Sequence, residues 1–181
     1  MRTYSHFLLT AVFNPKRVKA NTAALLAGSI APDVPLMLLS IGYVIDRRFV
    51  RPHLPDKTRC SPTFNDLYFN NPYWIAAHNI MHAPLPILAM GTVGYLYRRR
   101  RWGRGLLWFA VGCGLHSAID IPTHADDGPA ILFPVDWHTR VQSPVSYWDA
   151  EHNGRLFTIF EHILDLLLLI TLLAQRRRSK G

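Results

Sequence analysis

"LFTIFEHILDLLLLITLLA", residues 156–174, carries leucine in runs, contains no glycine or proline, and is followed at once by the basic "QRRRSK" of residues 175–180. An α-helix needs roughly 17–25 apolar residues to cross a bilayer. This stretch therefore reads as a membrane helix with a basic stop. Three further apolar segments of comparable length, at residues 21–45, 72–97 and 105–121, precede it. The second and third are separated only by "RRRRWGR", residues 98–104, which is too short and too charged to cross anything and makes them a helical hairpin with a basic tip. Strand signals are weak throughout. The expected fold is all-α: one membrane-embedded domain, residues 1–181, of about four apolar helices with irregular connecting loops.

The charge distribution agrees with this. Twenty Lys and Arg against twelve Asp and Glu give a formal net charge of +8, within a chain that is 49% hydrophobic. Much of that charge falls in the 98–104 loop and the 175–181 tail, each directly following or preceding an apolar run, which is the pattern of juxtamembrane anchors. No interleaved basic and aromatic surface of the kind that reads nucleic acid emerges, so membrane lipid is the expected partner and nucleic acid is not. The positive-inside rule places the tip, the tail and "PKRVK" (15–19) in the cytoplasm, predicting an inner-membrane protein with both termini cytoplasmic. The opening "MRTYSHFLLTAVFNPKR" lacks a small-residue cleavage pattern and reads as retained. Two cysteines, Cys60 and Cys113, make no disulfide framework.

Ionisable residues inside apolar segments are costly and point to function. In "GLHSAIDIPTHADDG" (114–128), His116, Asp120 and His124 recur every four residues and share one helical stripe, although Pro122 kinks or ends the helix among them. "APDVP" sets Asp33 between Pro32 and Pro35, and "HNIMHAP" places His78 and His82 one turn apart. "YSHFLL" adds His6, and "FEHILD" adds Glu161 beside His162 and Asp165. In an up-down arrangement the acidic and imidazole residues gather toward the outer end of the helices. Imidazole nitrogen and carboxylate oxygen suit zinc or a related divalent ion. "SPTFNDLYFNNP" (61–72) reads as irregular structure with turns, and "SPVSYWDAEHNG" (143–154) as an interfacial loop.

The combination of "YSHFLL", "GSIAPDVPL", "HNIMHAP" and "HSAIDIPTH" resembles the membrane-bound metal-dependent hydrolases, a group related in motif to zinc-dependent phospholipase C. The resemblance implies His116, Asp120 and His124 as zinc ligands, Asp33 as ligand or catalytic base, and His78 or His82 as a further ligand. It runs from His6 to His124 and extends toward Glu161. The later His, x3, Glu pair of the secreted phospholipases has no equally spaced counterpart here, because Glu161 precedes His162. The leading expectation is a hydrolase acting on a phosphoester, lipid among them, through a zinc-activated water. The alternative is a non-enzymatic membrane protein whose His/Asp cluster is a structural or ion-handling network.

Overall fold

The computed structural model describes residues 1–14, 21–55, 57–58 and 61–178. The basic 15–19 stretch, Cys60 and the last three residues of the tail lie outside them. Among the described residues eight α-helices follow one another: α1 (Thr3–Phe13), α2 (Thr22–Gly28), α3 (Asp33–Ile45), α4 (Pro62–Asn70), α5 (Pro72–Asn79), α6 (Pro84–Leu96), α7 (Arg101–Asp120) and α8 (Gly154–Arg178). Among the described residues the only β pairing is an isolated bridge between Ala130 and Arg140. The all-helical class is the one the sequence predicts.

The apolar segments differ in how they could meet a membrane. Arg101–Thr123 and Gly154–Arg177 are each long and apolar enough to cross it. The first segment passes the same test only as α2 and α3 together, bent by 46° at residues 29–32. The second does not form one helix. It divides at residues 80–83, where the chain turns before Pro84, and leaves α6 as a helix of 13 residues. Proline supplies no backbone donor, so Pro84 is tolerated at the first turn of α6 but could not continue α5.

One sequence expectation is corrected in the region 61–72, which is helical. Ser61 caps α4 by accepting from the Phe64 N–H at 3.2 Å, and Pro62 occupies the first turn. Asn71 and Pro72 repeat the device at the start of α5. A polar cap followed by proline is a helix-start signal, which the turn-rich composition had masked. Phe64 and Tyr68, one turn apart, then bury with Tyr43 and Trp74 in an aromatic cluster.

Helix α7 is the axis of the molecule. It pairs antiparallel with α6 and parallel with α2, and the α2 contact is a backbone approach through Gly28 and Gly112. A Cβ on Gly112 would lie 2.2 Å from the Leu25 carbonyl oxygen, and one on Gly28 would lie 2.1 Å from that of Phe109. Only glycine permits this spacing, which seats the α2–α3 break against the C-terminal end of α7. Helix α8 packs chiefly along α1 and leaves most of its leucines and isoleucines exposed, as a lipid-facing helix does.

Candidate metal centre

Two helix breaks and one helix end meet in space. Asp33 is the first residue of α3, just after the 29–32 break, where the helix N-terminus favours a carboxylate. His82 lies in the 80–83 turn. His116 and Asp120 come from the last turns of α7. One ligand atom from each of these four residues lies within 4.8 Å of the other three. Irregular backbone at membrane depth is tolerated where it is enclosed by protein or lines a cavity, and broken helices are a recurrent source of ion sites.

The distances are close to those of a coordination shell. His116 Nε2 stands 3.0 Å from Asp120 Oδ2 and 3.4 Å from Asp33 Oδ1. His82 Nε2 stands 3.5 Å from Asp120 Oδ2, 3.6 Å from Asp33 Oδ1 and 3.1 Å from His116 Nε2. Four ligands held tetrahedrally at zinc–ligand distances of about 2.1 Å are separated by about 3.4 Å from one another. The donor set therefore fits a divalent ion in both chemistry and spacing.

The tautomers strengthen this fit. His82 Nδ1 is 2.9 Å from the His78 carbonyl, and His116 Nδ1 is 2.9 Å from the Ser29 carbonyl. A carbonyl only accepts, so each Nδ1 carries a proton, and in a neutral ring each Nε2 then presents a lone pair. Two lone pairs directed at each other and at two carboxylates repel unless a cation or additional protons intervene. Metal-binding histidines have the same arrangement, with the remote ring N–H fixed by a backbone acceptor.

His6 adjoins the group. Its ring stacks on His116 with centroids 3.8 Å apart, and its Nε2 is 2.8 Å from Asp120 Oδ1. Although His6 is buried, neither ring nitrogen makes a well-formed hydrogen bond. The Met1 amino group also reaches Asp120 Oδ1, at 2.8 Å, and Thr123 Oγ1 at 3.0 Å. Thr3 Oγ1 donates to Asp33 Oδ2.

The other residues singled out in the sequence lie elsewhere. His78 sits at the end of α5, donating through Nδ1 to the Tyr68 hydroxyl at 2.9 Å, and its ring packs edge-on against His82. The hydroxyl of Tyr68 in turn donates to the Asp127 carbonyl, so His78 stands behind His82 and outside the four-residue group. His124 also leaves the shared stripe: Pro122 converts the chain to a 3-10 turn at Ile121–Thr123, after which His124 is extended. Its Nδ1 donates to the Asp120 carbonyl at 2.9 Å and its ring faces Tyr147. Glu161 is fully buried but engaged by Arg2, whose backbone N–H donates to Oε1 at 2.6 Å and whose guanidinium donates to Oε2. That pair fastens α1 to α8, as does the Ser5 hydroxyl on Asp165.

Several contributors had no evident signal in the sequence. Ser29 acts through its carbonyl, which any residue possesses, and Thr3 lies thirty positions from its partner. Asn79 is fully buried, donates to the Ile75 carbonyl at 2.8 Å and accepts from the Ala130 N–H at 2.6 Å. It thereby ties the loop that follows α7 to the turn that carries His82; its place in "HNIMH" was the only hint.

Taken together, the fold and this site define an all-helical membrane protein with a buried His/Asp group able to hold a metal ion. The sequence model of the YdjM inner membrane proteins matches residues 3–180, and the chain belongs to that family. No curated protein and no solved structure gives a significant match.

Proposed function

We propose that the protein is a metal-dependent hydrolase whose site opens at one end of its membrane helices and acts on a phosphoester, lipid phosphoesters included. The observation that carries this reading is the approach of His82 Nε2 and His116 Nε2 to 3.1 Å beside two carboxylates while both Nδ1 atoms are tied to carbonyls. Asp33, His82, His116 and Asp120 would hold the ion, with His6 available next to Asp120. A bound zinc would supply Lewis acidity and lower the pKa of a coordinated water toward about 7. The Ser29 and His78 carbonyls orient the imidazoles before any ligand arrives. Asp33 has a side chain 26% exposed, against 3% or less for the other three, so it faces the open side. It is the carboxylate placed to take the proton of an attacking water.

The basic loop at 98–104 and the end of α8 lie at the opposite end of the helical body from this site. With those arginines in the cytoplasm, the site faces outward. Met1 then lies at the site end and Arg178 at the cytoplasmic end, about 25 Å along α8 from Glu161. On this reading the two termini would lie at opposite ends of the helical body, whereas the charge pattern alone places both in the cytoplasm.

Hydrolysis of p-nitrophenyl phosphate and of its diester by detergent-purified, zinc-loaded protein tests the reading. His116→Ala and Asp120→Asn are expected to lower the rate about 100-fold or more, and chelation to abolish it. Full activity in both variants would overturn it. The second reading, a helix-packing network, is favoured by Asp120, whose two oxygens face three imidazoles from three different parts of the chain. It predicts a fold indifferent to chelation.

A further inference from the structure

The outer loops present a cation that the proposed metal centre does not use. Arg140 is half-buried; its Nη1 donates to the Gly128 carbonyl at 2.7 Å, and its guanidinium carbon lies 5.5 Å and 5.4 Å from the ring centres of Tyr68 and Phe69. Among the described residues it makes no ion pair with a carboxylate. The guanidinium is thus held by one carbonyl and two aromatic rings, with no carboxylate against it. A partly desolvated charge of this kind is costly unless an anion completes it.

Arg140 is connected to the His/Asp group through two intervening side chains, Tyr68 and His78. Under it lies Tyr68, whose hydroxyl accepts from His78 Nδ1, and the His78 ring packs 4.6 Å from that of His82. The Asp127 carboxylate on this loop accepts from the Trp148 indole N–H through Oδ2 at 2.8 Å, while its Oδ1 makes no hydrogen bond and forms no ion pair with Arg140. Lysine-type point charges would not be steadied by this setting, whereas a planar fork backed by aromatic rings is suited to a tetrahedral oxyanion.

We propose that Arg140 receives the anionic group of the substrate, a phosphate-type oxyanion, on the loop side of the metal centre, across Tyr68 and His78 from the ligands. This rests on the metal-hydrolase reading and names the charge that its substrate must carry. The same chemistry is offered by a lipid headgroup and by a soluble phosphoester.

The test is equilibrium dialysis of radiolabelled inorganic phosphate against the zinc-loaded protein in detergent, for the native chain, Arg140→Gln and Arg140→Lys. Arg140→Gln is expected to weaken phosphate binding about 10-fold or more, with Arg140→Lys intermediate, while zinc content and thermal midpoint stay near native. Equal phosphate affinity in all three proteins would overturn the proposal. So would equal losses in both variants that track a fallen thermal midpoint, since these mark a loop clamp. Zinc measured on the same samples separates the two readings. Protein without zinc fails the metal reading, and the Arg140 dependence of its phosphate binding still decides this one. Competition by phosphatidic acid in mixed micelles against glycerol phosphate in solution then assigns the source, the stronger competitor being the class of substrate.

Discussion

Helices α7 and α8 are both long and apolar enough to cross a membrane, yet they are used in opposite ways. Within its most apolar window α7 is 33% buried and α8 only 11%. Helix α7 is interrupted by glycines that let α2 approach to backbone contact, and its buried face ends in His116 and Asp120. Helix α8 is leucine-rich, faces outward over most of its length, and is held by a few polar contacts to α1. In lipid there is little hydrophobic gain in bringing helices together, so small residues and buried hydrogen bonds decide which helix is central. Of these two helices the one with the more apolar span is therefore peripheral, and the other carries the site.

The sharpest way to break this comparison is at Gly112. Valine there would meet the Leu25 carbonyl and the Gly28 and Ser29 backbones, none of which can yield as a side chain would. The expected loss is about 3 kcal/mol or more, read as a lowered thermal midpoint in detergent, together with loss of metal as the Ser29 carbonyl and Asp33 move from His116. A native midpoint would show that α2 and α7 do not depend on this approach.

Glu161→Ala tests the other helix. It strands the Arg2 N–H and guanidinium, at a cost of about 1–3 kcal/mol, but leaves the four-residue group intact. Stability should fall while metal content holds; a parallel loss of metal would make Glu161 part of the site. A smaller effect is expected of Leu167→Ala on the exposed face of α8, within about 0.5 kcal/mol in detergent, and a larger drop would reveal a partner on that face.

The smallest effect lies in the 143–154 loop. Its bond to His152 holds Asp149 below the usual carboxylate value, and the same bond raises His152. Asp149 contributes stability above 3.8 that fades as pH falls through its folded value; His152 contributes below 6.5 and fades as pH rises past its raised value. Trp148 fluorescence should therefore be steady between these limits and drift outside them. Asp149→Asn should remove the pH response; if the drift persists in that variant, the pair is not its origin.

The sequence revealed the two regions unequally. Helix α8 could be read directly, because an uninterrupted apolar run with a basic stop has one solution. Asp33, His82, His116 and Asp120 were also visible, because ionisable groups in apolar segments stand out. Their selection from the wider set was not. His78 and His82 share a spacing, and only the turn before Pro84 separates their fates. His124 is set apart from the four-residue group by the 3-10 turn at Pro122, and Glu161 is engaged by a partner 159 residues away that no local pattern indicates. The helix at Pro62–Asn70 was hidden because its capping residues are also turn formers.

The most direct test of the account is the metal content of protein purified in detergent without chelators, comparing the native chain with the double variant His116→Ala/Asp120→Ala. Near-stoichiometric zinc or another divalent ion in the native protein, absent from a folded double variant, is the predicted result. A native protein free of metal, or a folded double variant that retains it, would contradict the assignment of the His/Asp group as a metal centre.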